Sequence, residues 1–393
     1  MSYRILLFGT EFPPSAAGTA SYARSLAQGL TMAGAQVRVL TQSPSSQIAP
    51  LEEEGTGFEV KRIPYVASVP LRYVRCRRAL QRELADFQPH CLWTTNGMGT
   101  RVAGLLSEVG TPHVPLISCA RGTDLRSRLP GRSLGRRLES LPQRRAYERS
   151  SAIAAACQDL KRVAIGKGLP AERIVVSHSA FDLSRIDAHE SVDIEREPAQ
   201  ILTVARLTQQ KRVDVVIRAL ARLIEHTPRA RLTIVGDGPE RSSLESLAHE
   251  LGAADHIHFA GSLPPRSTVL YDQYRRAGLF CLVSAGEGLA NVFIEAGAFG
   301  LASVGSDDGG TPEVVTHSRT GLLVPTDDAD ALAIALGRLI TEDGLADLLG
   351  RQARAWIEEE FGVDTLGRRS FELVRSVVDG LPLPSMDARS EST

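Results

Sequence analysis

Two cations and two carboxylates in the second half of the chain have the types and spacing to handle a phosphorylated ligand. Arg206 and Lys211 stand in Ala205-Arg206-Leu-Thr-Gln-Gln-Lys211. They follow an apolar run that reads as a strand, Ile201–Ala205, and precede a stretch with helical spacing, Asp214–Ile224. Ligands in open α/β sheets sit at such strand ends. Arginine offers a rigid fork and lysine a point charge, and both suit a diphosphate. Glu287 and Glu295, seven residues between them, occupy Ser284-Ala-Gly-Glu287-Gly288-Leu289-Ala290-Asn291-Val-Phe-Ile-Glu295. A strand precedes this segment and an apolar helix begins near Asn291, so free N–H groups at the helix start offer an anion site. A loop carboxylate can accept hydrogen bonds from sugar hydroxyls, and the one on the helix can reach a ribose. Taken singly, these features also read as a solvated basic loop and a satisfied helix glutamate.

A third candidate lies near the N-terminus. Phe12-Pro-Pro-Ser-Ala-Ala-Gly18-Thr19 opens a helix, and Gly18 lets backbone approach a phosphate closely. A plain strand-to-helix turn accounts for it equally well. It is not the dinucleotide Gly-x-Gly-x-x-Gly, which speaks against a nicotinamide dehydrogenase, and no phosphate-binding Gly-x4-Gly-Lys-Ser/Thr occurs. The acidic pairs Asp307-Asp308 and Asp327-Asp328 lack an Asp-x-Asp spacing after a strand. They read as loop or helix-cap residues, so no metal site is expected.

These side chains must be positioned by alternating strands and helices. Strand, loop, helix and strand over Arg4–Phe8, Gly9–Gly18, Tyr22–Leu30 and Val37–Leu40 form a βαβ unit, which implies parallel pairing. The pattern then blurs and returns in short apolar runs near His90–Trp93, Val114–Ser118, Ala152–Ala156 and Ile174–Val176. A chain of 393 residues exceeds what one hydrophobic core usually supports. Residues 1–187 read as one α/β domain, the polar stretch Asp187–Gln200 as a linker, and 198–360 as a second α/β domain. In the second, strands are expected at Ile201–Ala205, Leu232–Val235, Ile257–Phe259, Leu279–Val283 and Ala302–Val304. A final amphipathic helix spans 361–378, and the tail 384–393 is expected to be disordered.

The net charge of −1 gives no reason to expect nucleic acid as a partner. Five scattered cysteines with no Cys-x-x-Cys pair argue against a disulfide framework and fit a reduced, cytoplasmic compartment. No run of about 20 apolar residues is present, so no membrane span is expected.

In order and spacing, the chain resembles the retaining family-four glycosyltransferases of the GT-B fold, the glycosyl transferases group 1. The likeness runs through the N-terminal Pro-Pro loop, Arg206-x4-Lys211 and Val235-Gly236-Asp-Gly-Pro239. It continues through Glu287-x7-Glu295, Gly309-Gly310-Thr-Pro-Glu313 and Gly321-Leu-Leu-Val-Pro325. Each piece is weak alone; the ordered set covers nearly the whole chain. The resemblance implies an α/β protein of two facing Rossmann-like domains, with a C-terminal helix crossing back to the first. It implies that Arg206 and Lys211 hold the donor diphosphate, that Glu287 contacts the donor sugar and that Glu295 takes the ribose. The backbone of Gly288, Leu289, Ala290 and Asn291 would line sugar and phosphate, with Ser284 and Gly236 in the same donor set. Gly18 would close over the phosphate from the first domain.

Three departures from the family pattern stand out. Where the family often has His-Gly-x-Asp, the chain reads Ala120-Arg121-Gly122-Thr123-Asp124. An arginine cannot serve as a base, so Arg121, with Asp124, is a candidate for binding a phosphate or carboxylate on the acceptor. Ala17 replaces a common glycine, which narrows conformational freedom there. Ser179-Ala-Phe-Asp182 replaces a common Asn-Gly-x-Asp turn.

The reading is therefore a retaining, metal-independent glycosyltransferase that needs no cofactor. Its donor is a nucleotide-diphosphate sugar, UDP preferred over GDP with no residue deciding it. The acceptor is an unidentified glycan, lipid-linked or small molecule. A sugar-nucleotide epimerase on the same fold and a silent nucleotide-sugar-binding protein are the rivals. Arginines crowd 72–82 and 121–149. Residues 121–149 are read as a peripheral contact with anionic membrane, beside the plainer reading of a solvated face.

Overall fold

The computed structural model describes residues 2–15, 17–44, 57–111, 113–122, 125, 134–187 and 194–384. The chain divides into two compact units, Met1–Ala180 with Gly362–Thr393, and Phe181–Phe361.

The first unit contains β1 (Arg4–Phe8), α1 (Gly18–Met32), β2 (Gln36–Gln42), β3 (Glu59–Ile63), α2 (Val69–Phe87), β4 (Cys91–Thr94), α3 (Gly97–Ala103), β5 (Leu116–Ala120), α4 (Leu134–Arg149), β6 (Ala152–Ala155), α5 (Gln158–Gly166) and β7 (Ile174–Val176). Its seven strands run in the order β3-β2-β1-β4-β5-β6-β7, with parallel pairing throughout. Alternate residues of β1 feed opposite faces, as the two-residue strand period requires. Ile5 and Leu7 join Tyr22, Leu26 and Leu30 of α1, whereas Leu6 and Phe8 join Cys76 and Leu80 of α2 and Val102 of α3. Both faces are covered, so β1 is a continuous apolar run. β3 and α2 fall in the stretch where the sequence pattern blurs. β3 is an edge strand with one buried residue, Ile63, and α2 buries only Cys76, Leu80 and Phe87.

The second unit contains α6 (Ser184–Asp187), β8 (Glu197–Val204), α7 (Val213–His226), β9 (Arg231–Val235), α8 (Arg241–Glu250), β10 (Ile257–Gly261), α9 (Thr268–Arg276), β11 (Ala277–Leu282), α10 (Asn291–Ala298), β12 (Ala302–Ser306), α11 (Thr311–Val314), β13 (Gly321–Val324), α12 (Ala329–Thr341) and α13 (Leu345–Glu360). Its parallel sheet runs β10-β9-β8-β11-β12-β13. The chain order reverses between β8 and β11, the topological switch point of a Rossmann-like sheet.

The passage between units falls earlier than the polar stretch after Asp187 suggests. Phe181 and Ile186 bury their side chains with Tyr271, Tyr274 and Phe299 of the second unit, and Phe181 N donates to Phe361 O at 2.8 Å. The expected linker is partly strand: β8 begins at Glu197, which pairs with Ala277 of β11. Pro198 is accommodated because it stands near the strand's start. Residues 188–193 of that stretch, and 385–393 of the expected disordered tail, lie outside the described residues.

The last helix, α14 (Val363–Asp379), belongs to the first unit and packs on α1. Gly29 and Gly367 meet at the crossing: a Cβ on Gly367 would stand 2.2 Å from Gly29 O. Leu366, Leu373 and Val374 of α14 complete the core beneath α1.

Candidate functional site

Most of the expected donor residues of the second unit lie on the two loops that leave β8 and β11, at the switch point, with Gly236 after β9 and Glu295 in α10. The loop after β8 is tied to the one after β9. Ala205 N donates to Val235 O at 3.0 Å, Leu207 N to Asp237 O at 3.0 Å, and Glu240 N to Leu207 O at 3.1 Å. Gly236 makes this approach feasible. Its φ is 135°, and a Cβ there would lie 1.9 Å from Ala205 O, so no other residue fits. Its backbone role is thus to shape the loop that carries Arg206.

The loops after β8 and β11 are joined directly. Ala285 N donates to Gln210 O at 2.9 Å, and Lys211 Nζ forms an ion pair with Glu287 Oε2. Both of those side chains are about four-fifths covered. The sequence reading gave Lys211 to phosphate and Glu287 to sugar; the structure adds that they hold each other. Arg206 is exposed, and among the described residues its side chain has no ion pair. It stands ready for an anion.

Asp308 fixes the Glu287 loop from below. It accepts from Gly286 N at 2.5 Å and from Gly309 N at 2.8 Å, while Gly310 N donates to Glu287 O at 3.3 Å. Asp328 caps α12 through Ala331 N at 2.9 Å, and Asp327 pairs with Arg212 at 2.7 Å. Asp308, Asp327 and Asp328 thus have loop and cap contacts. Among the described residues, no three His, Cys, Asp or Glu side chains gather as metal ligands do.

Gly288 and Ala290 are buried, Leu289 and Asn291 half-buried, and α10 starts at Asn291 with no side-chain cap from Ala290, while Phe293 N donates to Ala290 O at 3.0 Å. Ser284 is buried at the end of β11, with its carbonyl accepting from Ser306 Oγ at 2.8 Å. Among the described residues its own hydroxyl has no partner, which costs about 1–3 kcal/mol unless a bound molecule supplies one.

Glu295, in the second turn of α10, accepts a 2.9 Å hydrogen bond from the Tyr274 phenol. Burial raises the Glu295 carboxyl above the usual carboxylate range, against a smaller opposing pull from Tyr274 and Arg266. The Tyr274 phenol is itself pushed up, first by burial and then by the charge of Glu295. Sequence reasoning missed Tyr274, Gln210 and Asp308. The first two carry no motif signal, and Asp308 was visible only as a generic loop acid.

In the first unit, the loop after β1 and the start of α3 after β4 meet at that sheet's own switch point. Asn96 caps α3 through Gly99 N at 2.9 Å and donates to Thr10 Oγ1 at 3.0 Å. Gly18 is the first residue of α1, and Thr19 donates to Glu11 within the loop. Ala17 has φ −68° and ψ 140°, an extended conformation open to any residue, so a glycine is not required there.

Arg121 is engaged within its own unit. It donates to Ser177 O and Ser179 Oγ, each at 2.6 Å, and its guanidinium lies 3.7 Å from the centre of the Tyr22 ring. Ser179 belongs to the altered turn, so two of the departures from the family pattern are physically linked. Asp124 lies outside the described residues, as does most of 121–133. From the basic stretch, Arg144 pairs with Glu148 at 2.8 Å and Arg149 donates to Leu106 O at 2.8 Å. All five cysteines are buried and free, and Cys157 caps α5.

Comparison with known proteins agrees with this architecture. Residues 184–356 match the family described as Glycosyl transferases group 1, and residues 17–179 match the Glycosyl transferase 4-like domain. A GDP-mannose-dependent alpha-(1-6)-phosphatidylinositol monomannoside mannosyltransferase of Mycobacterium tuberculosis is 26% identical, over 95% of this chain and 98% of its own. A putative colanic acid biosynthesis glycosyltransferase of Salmonella typhimurium is 31% identical over 53% of each chain. Among solved structures, sucrose-phosphate synthase of Thermosynechococcus elongatus superposes with a TM-score of 0.78 at 20% identity, over 96% of this chain and 100% of that one. Anabaena HepE in complex with UDP and glucose gives 0.74 at 18% identity, over 95% and 100%. These likenesses establish the GT-B fold.

Proposed function

The chain belongs to the glycosyl transferases group 1, and we propose that it moves a sugar, with retention at the anomeric carbon and without a metal, from a nucleotide diphosphate to an acceptor. The observation that carries this reading is that Arg206, the Lys211–Glu287 pair and the N-terminus of α10 lie on the elements that follow β8 and β11, at the switch point. Breaking the anomeric C–O bond leaves charge on the diphosphate. Arg206 and Lys211, with the positive end of the α10 dipole, would meet that charge, an arrangement that lowers such barriers by several kcal/mol. Donor phosphate would draw Lys211 from Glu287, freeing that carboxylate for sugar hydroxyls. Glu295 would take the ribose.

For the donor base, the likeness to the GDP-mannose-dependent mannosyltransferase of Mycobacterium tuberculosis supports GDP-mannose ahead of the UDP preference drawn from sequence. The same likeness supports a lipid-linked acceptor. A peripheral membrane contact is proposed through the exposed side of α2, beside the basic stretch 121–149, of which most of 121–133 lies outside the described residues. Arg121, tied to Ser177 and Ser179, is proposed to shape the acceptor side rather than to pair with an acceptor anion.

The test is thermal stabilisation by GDP, UDP, ADP and their sugar conjugates, with and without EDTA. A ligand that binds the native state raises the melting temperature by mass action. A shift with GDP that survives EDTA is expected. No shift with any nucleotide would overturn the donor site. Release of nucleotide only when acceptor is present separates transfer from epimerisation and from silent binding.

A further inference from the structure

Resting on the reading that Glu295 takes the ribose, we propose that Tyr274 is the positioning residue for nucleotide recognition: its phenol holds one oxygen of the Glu295 carboxylate and leaves the other for the ribose hydroxyls. The contact is a single 2.9 Å hydrogen bond from Tyr274 on α9 to Glu295 Oε2 on α10. A glutamate has three rotatable side-chain bonds, and an untethered one presents its carboxylate in many directions. Tyr274 removes that freedom because it cannot move itself. It is fully buried, its ring lies parallel to Phe299 with centroids 5.3 Å apart, and Phe280 closes the other approach at 6.2 Å. Phe280 is braced edge-on by Phe293 at 5.3 Å. An aromatic cluster of the core therefore sets the aim of one polar group at the donor site. The plainer account is that Glu295 merely satisfies a buried phenol. The two accounts differ in one observable: only positioning makes the ribose hydroxyls depend on Tyr274.

Tyr274→Phe keeps the stack and deletes the hydroxyl. Its binding of GDP and UDP is compared by calorimetry with that of their 2′,3′-dideoxy forms, beside wild type and Glu295→Gln. Hydrogen bonds to a charged group carry enough energy for wild type to favour the ribose form by ~10-fold or more. In Tyr274→Phe this ratio should fall at least ~3-fold through weaker binding of the ribose form, with the dideoxy affinity unchanged. In Glu295→Gln it should fall further. An unchanged ratio in Tyr274→Phe, or an equal loss for both forms, overturns the positioning role. Equal wild-type affinity for both forms overturns the ribose assignment of Glu295, and this proposal with it, while leaving nucleotide binding intact. Failure of every nucleotide to bind overturns the donor site itself.

Discussion

Lys211 and Glu287 form an ion pair whose side chains are 19% and 21% exposed. Such a pair lies between the surface case, about 0–1 kcal/mol, and the buried one. On the proposed role its catalytic weight is larger, since deleting one preorganised charge at a leaving group costs about 10²–10³ in rate. Lys211→Ala should therefore lose turnover ~100-fold or more while melting within a few degrees of wild type. Near-normal rates in that variant would remove Lys211 from the phosphate site. Glu295 has the opposite balance. Burial makes its native carboxyl bind a proton more tightly than in the unfolded chain. Stability is thus lost as pH rises from the ordinary carboxylate value through the raised one. Glu295→Gln should melt higher than wild type at about pH 7, and the difference should vanish near pH ~3.5, below both values. The same variant should bind nucleotide more weakly, so stability and recognition would change in opposite directions. The candidate residues were proposed from type and spacing. Their support was not: Tyr274 and Gln210 act from positions that resemble any core tyrosine and any loop glutamine.

Helices and loops are held by close backbone approach as much as by apolar burial. α14 reaches α1 through Gly29 and Gly367, where the new Cβ of Gly367→Ala would meet a carbonyl oxygen at 2.2 Å. Glycine to alanine inside a helix ordinarily stabilises by about 1 kcal/mol. Here overpacking should reverse the sign and destabilise by ~1–3 kcal/mol. Gly337→Ala on α12 is the control. Its new Cβ meets only Leu223 Cδ1, at 3.4 Å, and it should stabilise or stay neutral. Chemical denaturation of the two variants checks both signs. Strongly buried elements such as β1, β9 and β11 were legible as apolar runs. β3 and α2 were not, because an edge strand and a helix with three buried residues leave little periodicity to read.

At the scale of the molecule, two parallel sheets each bring their ligand loops to a switch point, and α2 of the first unit turns an unusual face outward. Val69, Leu71 and Val74 are 54%, 46% and 44% exposed, with Tyr65 close by at 40%. Leu71, Val74, Arg75, Arg78 and Arg82 follow helical spacing, so they share the exposed side of α2. Among the described residues Arg75, Arg78 and Arg82 make no ion pair, and apolar side chains beside such arginines suit an anionic lipid surface, where each arginine contributes about 1 kcal/mol. Vesicles of phosphatidylcholine with phosphatidylglycerol should sediment the protein, and phosphatidylcholine alone should not. Leu71→Ser with Val74→Ser, or Arg75→Gln with Arg78→Gln, should weaken that binding several-fold. Undiminished binding in both would clear α2 of the role. Among the described residues no helix is long and apolar enough to cross a membrane.

The sequence by itself determined the strand and helix alternation, the division into two α/β units and the ordered motif set, because burial periodicity and loop chemistry are local properties. Only the tertiary structure decided that the chain changes unit at Phe181, that Lys211 and Glu287 pair across two loops, that Arg121 is committed to Ser177, Ser179 and Tyr22, and that the Tyr274 phenol donates to Glu295. Each of these joins residues distant in the chain. Such partners are chosen by where the sheet order places loop ends and by which side chains the core clamps, and neither is encoded in the spacing of any one segment.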